Sequence, residues 1–124
     1  MQEPQPIPAI SDLHFLRDKL RSFAEVRDWE QFHTPKNLSM ALMVEVAELM
    51  EHFQWLTQEQ STRLSEETKA DVADELADVL LYLVRISDTL EVDLFEAALH
   101  KLDKNAAKYP VERVRGSAKK YSEY

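Results

Sequence analysis

Glu45-Val46-Ala47-Glu48 and Glu75-Leu76-Ala77-Asp78 each place two carboxylates three residues apart inside a long run that otherwise reads as buried helix. The first run carries an apolar stripe, Leu38, Leu42, Val46, Leu49 and Phe53, with a second stripe beside it: Ala41, Glu45, Glu48, His52 and Trp55. The second run repeats the plan, with Val72, Leu76, Val79, Leu83, Ile86 and Leu90 flanked by Asp71, Glu75, Asp78, Tyr82 and Arg85. On a helix, residues three apart share a face with Cβ atoms about 5 to 6 Å apart. Two such helices packed together would project four acids into one pocket, where they repel one another and acquire raised pKa values unless a cation joins them.

Working outward, punctuation and period divide the chain into helices. Residues 1–10, with Pro4, Pro6 and Pro8, read as a flexible N-terminal arm. Ser11 is placed to cap a first helix through Leu13, Leu16, Leu20 and Phe23 that fades near Arg27. A connector, Asp28 to His33, precedes Thr34-Pro35, an N-cap followed by proline at the first helical position. The second helix should run to about Trp55. A polar segment, Thr57 to Glu67, should begin with a short helical turn, and Ser65 offers the cap of a third helix reaching Leu90. Asp93 with Glu96 has the capping-box form for a fourth helix ending near Pro110, with Phe95, Leu99, Leu102 and Ala106 inward. The expected fold is all-α, a four- to five-helix bundle over residues 11–110, with an irregular C-terminal tail over 111–124.

Composition agrees with long helices: one Gly and five Pro in 124 residues argue against a turn-rich β fold. With no Cys, disulfides and thiolate zinc sites are excluded. No stretch approaches the ~20 apolar residues of a membrane span, and the polar start of the chain has no apolar leader segment, so the expected location is the cytoplasm. A net charge of −8 would repel a nucleic-acid polymer, although a small anion can still bind through metal ions.

All-oxygen ligation by Glu45, Glu48, Glu75 and Asp78 suits Mg²⁺, with Mn²⁺ as the alternative, and does not suit zinc. Such cations take substrate phosphates as further ligands, which points to phosphate chemistry. A di-iron carboxylate bundle needs Glu-x-x-His on two helices; here the pattern occurs only as Glu30 to His33 in the connector. A solvated helix face would explain one acid pair. Two pairs, each bordered by Leu, Val, Met or Ala, favour a site.

The acids in this order resemble those of the all-α nucleoside triphosphate pyrophosphohydrolases of the MazG and dUTPase-like group. Arg27-Asp28-Trp29-Glu30-Gln31-Phe32-His33, Asn37-Leu38, Phe53-Gln54-Trp55, Asp78-Val79-Leu80-Leu81-Tyr82-Leu83 and Lys108-Tyr109-Pro110 resemble the dCTP pyrophosphatase branch within it. The likeness extends over residues 11–124 and implies Mg²⁺-dependent hydrolysis between the α and β phosphates, giving a monophosphate and pyrophosphate. It further implies that Glu45, Glu48, Glu75 and Asp78 are the metal ligands and catalytic acids. Trp29, Gln31, Phe32, His33, Trp55 and Tyr82 correspond to substrate contacts. Two positions depart from the pattern: Val44 precedes Glu45 where the wider group has a second glutamate, and Leu20 stands where animal members of the branch carry His. The number of metal ions and the base therefore stay open.

Trp55 and Tyr82 extend the two acid stripes and so are placed to stack on a base, whereas Phe32 and His33 fit a structural role as readily. Lys101, Asn105 and Lys108 recur at one-turn spacing beside the core stripe of the last helix, as a solvated face or as a clamp on the β and γ phosphates. Apolar edges such as Leu80, Leu81 and Val84 lie off the main stripe and predict self-association, as a dimer or tetramer by resemblance. The competing reading of the whole chain is a non-catalytic helical oligomerisation module whose acid stripes pair with basic side chains across an interface.

Overall fold

The computed structural model describes residues 12–118, so the expected N-terminal arm, the Ser11 cap and the end of the tail lie outside the described residues. The described residues form six α-helices: α1 Asp12–Val26, α2 Pro35–Glu51, α3 Gln58–Ser61, α4 Glu66–Thr89, α5 Leu94–Lys108 and α6 Val111–Val114. A 3-10 turn, Glu30–Phe32, lies between α1 and α2, and no strand occurs among the described residues. The chain forms two compact units, the first ending at Val92 and the second beginning at Asp93.

The helix starts follow the side chains read from the sequence. Thr34 accepts the Asn37 N–H at 3.2 Å, with Pro35 in the first turn; Ser65 accepts the Thr68 N–H at 3.1 Å; Asp93 accepts the Glu96 N–H at 3.0 Å. Each satisfies one of the free donors at a helix N-terminus. Thr57 and Gln60 form a reciprocal capping box around α3. The C-terminal ends of α1 and α4 share a different device. The Trp29 N–H reaches the Ala24 carbonyl and the Asp28 N–H that of Glu25, with Asp28 at φ 54°. In the same way Val92 bonds Ser87 and Glu91 bonds Asp88, with Glu91 at φ 57°. Both are Schellman caps whose left-handed residue is an acid where glycine is usual. The first of them turns the chain so that Trp29 follows α1 directly.

In the first unit α4 packs chiefly on α2 and also on α1. Its buried residues are Ala24, Leu38, Val72, Val84 and Arg85. This corrects the expected facing: Val46, Leu76 and Leu83 are exposed, Leu76 at 53%, while Val84, expected at an open edge, is buried. The rotation has a simple cause. Glu45, Glu48, Glu75 and Asp78 are each partly buried, so the acids share the inward side with Leu38 and Val72 while Val46, Leu76 and Leu83 turn away. α2 also stops at Glu51, with His52 as its C-cap, which leaves Trp55 in the following turn rather than on the acid stripe. In the second unit, Phe95, Leu99 and Leu102 on α5 are exposed rather than inward, and α6 adds a helical turn where an irregular tail was expected.

Candidate active site

Glu45 and Glu48 lie on α2, and Glu75 lies on α4. The three bring one carboxylate oxygen each within 4.8 Å of the others. Oε2 of Glu45 and Oε2 of Glu75 are buried without a hydrogen-bond partner. A buried carboxylate oxygen with nothing donating to it is costly. Burial, followed by the neighbouring Glu48 and Asp78, pushes the Glu45 pKa up to about 7, and burial with the Glu48 charge raises Glu75. Orphaned oxygens, convergent carboxylates and suppressed ionisation fit a hard divalent cation, which would supply the missing partner. Asp78, the fourth acid of the sequence pattern, stands outside this trio and lines an adjoining cavity.

That cavity, about 230 Å³, is walled by Leu20, Phe23, Trp29, His33 and Leu38 from the α1 to α2 region and by Asp78, Leu81, Tyr82 and Arg85 from α4. Its walls are mainly apolar and aromatic. Trp29 meets Phe23 edge to face at 5.8 Å between centroids, and its other neighbour is the His33 ring at 6.3 Å. Gln31 donates to the carbonyl and carboxylate of Asp28 at 3.0 and 3.1 Å, and the Asn37 amide donates to the Phe32 carbonyl at 3.1 Å. These bonds fasten the 3-10 turn between its two helices and so position Trp29 and His33.

A polar chain runs along one side of the cavity. Arg21 of α1 donates through Nε to Asp88 Oδ2 at 2.7 Å and through a second nitrogen to Oδ1. Asp88 also accepts from Arg85 Nη1 at 3.4 Å, and Arg85 Nε donates to His33 Nδ1 at 3.0 Å. Hydrogen bonding to Arg21 lowers the Asp88 pKa. Sequence reasoning placed Arg85 on the inward stripe of α4 but gave it no role, and it passed over Arg21 and Asp88. The signal was present: Arg85 follows Tyr82 by one turn and precedes an acid three residues on.

Of the residues singled out in the sequence, the structure gathers Glu45, Glu48 and Glu75 into one cluster, and Trp29, His33, Tyr82 and Asp78 around one cavity. Gln31 is engaged with Asp28, Phe32 is exposed, and Trp55 is 86% exposed. Lys101 and Asn105 lie one turn apart on α5, in the second compact unit.

Residues 40–124 match the MazG-like family. The chain belongs to that family. It is 44% identical to dCTP pyrophosphatase 1 of Bos taurus over 94% of this chain and 68% of the relative, and 43% identical to the Homo sapiens protein of that name over 95% and 69%. A crystal structure of a pyrophosphatase from Archaeoglobus fulgidus superposes with a TM-score of 0.76 at 39% identity, covering 86% of this chain and 99% of that one. With these relatives, this MazG-like chain is a nucleoside triphosphate pyrophosphohydrolase rather than a non-catalytic module. Among the described residues no helix is long and apolar enough to cross a membrane.

Proposed function

We propose that this enzyme hydrolyses a pyrimidine deoxynucleoside triphosphate, dCTP or a close relative, to the monophosphate and pyrophosphate, with Mg²⁺ as its cation. The observation that carries the reading is the pairing of a cation-demanding acid trio with an apolar, aromatic cavity that shares α4 with it. Glu45, Glu48, Glu75 and Asp78 would hold the metal, with Mn²⁺ a workable substitute. When bound, the metal neutralises the phosphates and polarises the reacting phosphoryl group. The chain's own part is separate. Trp29 and Tyr82 offer ring faces to a base, His33 offers a polar edge, and Glu48 is assigned to orient the attacking water. Asp78 joins the two regions, bordering the cavity while its charge raises the pKa of Glu45 and Glu75. Gln31, Phe32 and Trp55 are assigned to substrate contact by resemblance.

Self-association belongs to the same reading. Met40, Met43 and Val44 on α2 and Leu76, Leu80 and Leu83 on α4 are exposed at helical spacing. Apolar surface of this kind is stabilised by a second copy, and light scattering in line with size exclusion should return a dimer or tetramer mass.

Product identity tests the chemistry. Purified protein incubated with Mg²⁺ and each deoxynucleoside triphosphate should release pyrophosphate, fastest from dCTP, and none with chelator present. Glu48→Gln and Glu75→Gln should each lower turnover by about 10²- to 10³-fold, the size of losing one group that stabilises charge in the transition state, with the helical spectrum unchanged. Orthophosphate as product, or full activity in both variants, would refute the proposal.

A further inference from the structure

His33 lines the cavity, and its ring nitrogen Nδ1 lies 3.0 Å from Nε of Arg85. The chemistry of that contact is unambiguous in one respect. An arginine Nε–H can only donate, so Nδ1 must carry a lone pair and the neutral ring must bear its proton on Nε2. Arg85 is itself 8% exposed and is steadied by Asp88, which Arg21 grips from α1 through two donors. The chain Arg21, Asp88, Arg85, His33 therefore joins two helices and the connector between α1 and α2.

We infer that Arg85 is a positioning residue: it locks His33 as the Nε2–H tautomer, so that the ring presents one donor to an acceptor on the nucleobase, a ring carbonyl or an unprotonated ring nitrogen. The inference rests on the reading of the cavity as a base site. Several observations converge on it. Nδ1 is already occupied, so Nε2–H is the one polar group the ring has left for a ligand. The other walls are mainly aromatic or aliphatic, so His33 is one of few polar donors there, beside Arg85, the Trp29 indole and the Tyr82 hydroxyl. Burial and the Arg85 charge lower the His33 pKa, against a smaller opposing effect of Glu30, which agrees with a neutral ring. A planar guanidinium suits the task because its Nε–H has a fixed direction, whereas a lysine ammonium rotates.

Two readouts test the role. Long-range ¹H–¹⁵N NMR of the resting protein should show His33 as a single tautomer with Nδ1 unprotonated, and Arg85→Met should show a mixture. Steady-state kinetics should show Arg85→Met raising KM for dCTP up to about tenfold, the worth of one hydrogen bond, with kcat within about twofold. Inhibition by inorganic tripolyphosphate, which has phosphates and no base, should be unchanged. Arg85→Lys, which keeps the charge, should recover folding if Met does not and should still show the tautomer mixture. A wild-type ring protonated on Nδ1 would overturn the inference. So would a variant whose KM for dCTP is unchanged, or one that weakens tripolyphosphate and dCTP equally. If the wild-type protein released no pyrophosphate at all, the catalytic reading would fail while the NMR measurement still decided the role of Arg85.

Discussion

α4 carries two charged pairs at the same spacing, and they have opposite fates. Glu75 and Asp78 share a sign: Glu75 joins two more acids from α2, and two buried oxygens of the cluster have no donor. Arg85 and Asp88 differ in sign, pair at 3.4 Å, and are completed by Arg21 and His33. One helix thus holds a unit whose buried oxygens have no hydrogen-bond partner among the described residues, leaving it open to a partner from outside the chain, and, beyond Tyr82, a unit paired from within. The difference separates a cluster of like charge from a network of opposite charges, and only the second fixes the geometry of its neighbours through hydrogen bonds.

The comparison is sharpened most by adding the outside partner. At a hundred times its dissociation constant, a bound cation should stabilise the fold by about 2.7 kcal/mol. The sign of its pH dependence follows from Glu45, whose pKa rises from an ordinary 4.5 to about 7. Between those values the folded protein holds a proton that the unfolded chain has lost, so without metal stability falls as pH rises through that window. The gain in Tm on adding Mg²⁺ should accordingly be small near pH 5 and full above about pH 7, as differential scanning fluorimetry would read. A gain independent of pH would break the contrast.

Opening the self-satisfied unit should cost somewhat less. Asp88→Asn removes the charge that both arginines share, and with Arg21 half exposed the loss should be about 1 to 2 kcal/mol by urea denaturation at pH 7. Here the sign is reversed. The Asp88 pKa is lowered, so its contribution is present above the ordinary 3.8 and disappears as pH falls through the lower folded value. The smallest effect lies just beyond this pair, at the cap of α4. Glu91 holds φ 57°, and Glu91→Gly should stabilise by up to about 1 kcal/mol, because glycine adopts that region without a Cβ penalty. A destabilised variant would show that the Glu91 side chain matters more than its backbone.

How far the sequence reveals this arrangement depends on the range of the interaction. Thr34, Ser65 and Asp93 announce helix starts because a cap acts within four residues, and the acid pairs are legible because i, i+3 geometry is local. The facing of the helices is not local. Val46 and Leu76 have better apolar credentials than Glu45 and Glu75, yet the acids take the inward side, and only the packing of α2 on α4 decides that. Trp55 was misplaced by continuing a periodic stripe past Glu51, where the helix ends without a glycine or proline to mark it. Arg85 is legible as an inward position, but its partner His33 is 52 residues away, and no pattern within one helix reports such a bond.

The two tryptophans have become unlike chromophores. Trp29, 44% exposed, packs against Phe23 and the His33 imidazole, whereas Trp55 is 86% exposed. Iodide should therefore quench Trp55 emission more steeply than that of Trp29. The molecule thereby carries two intrinsic reporters that differ in solvent access, one in the wall of the aromatic cavity and one in the turn after α2.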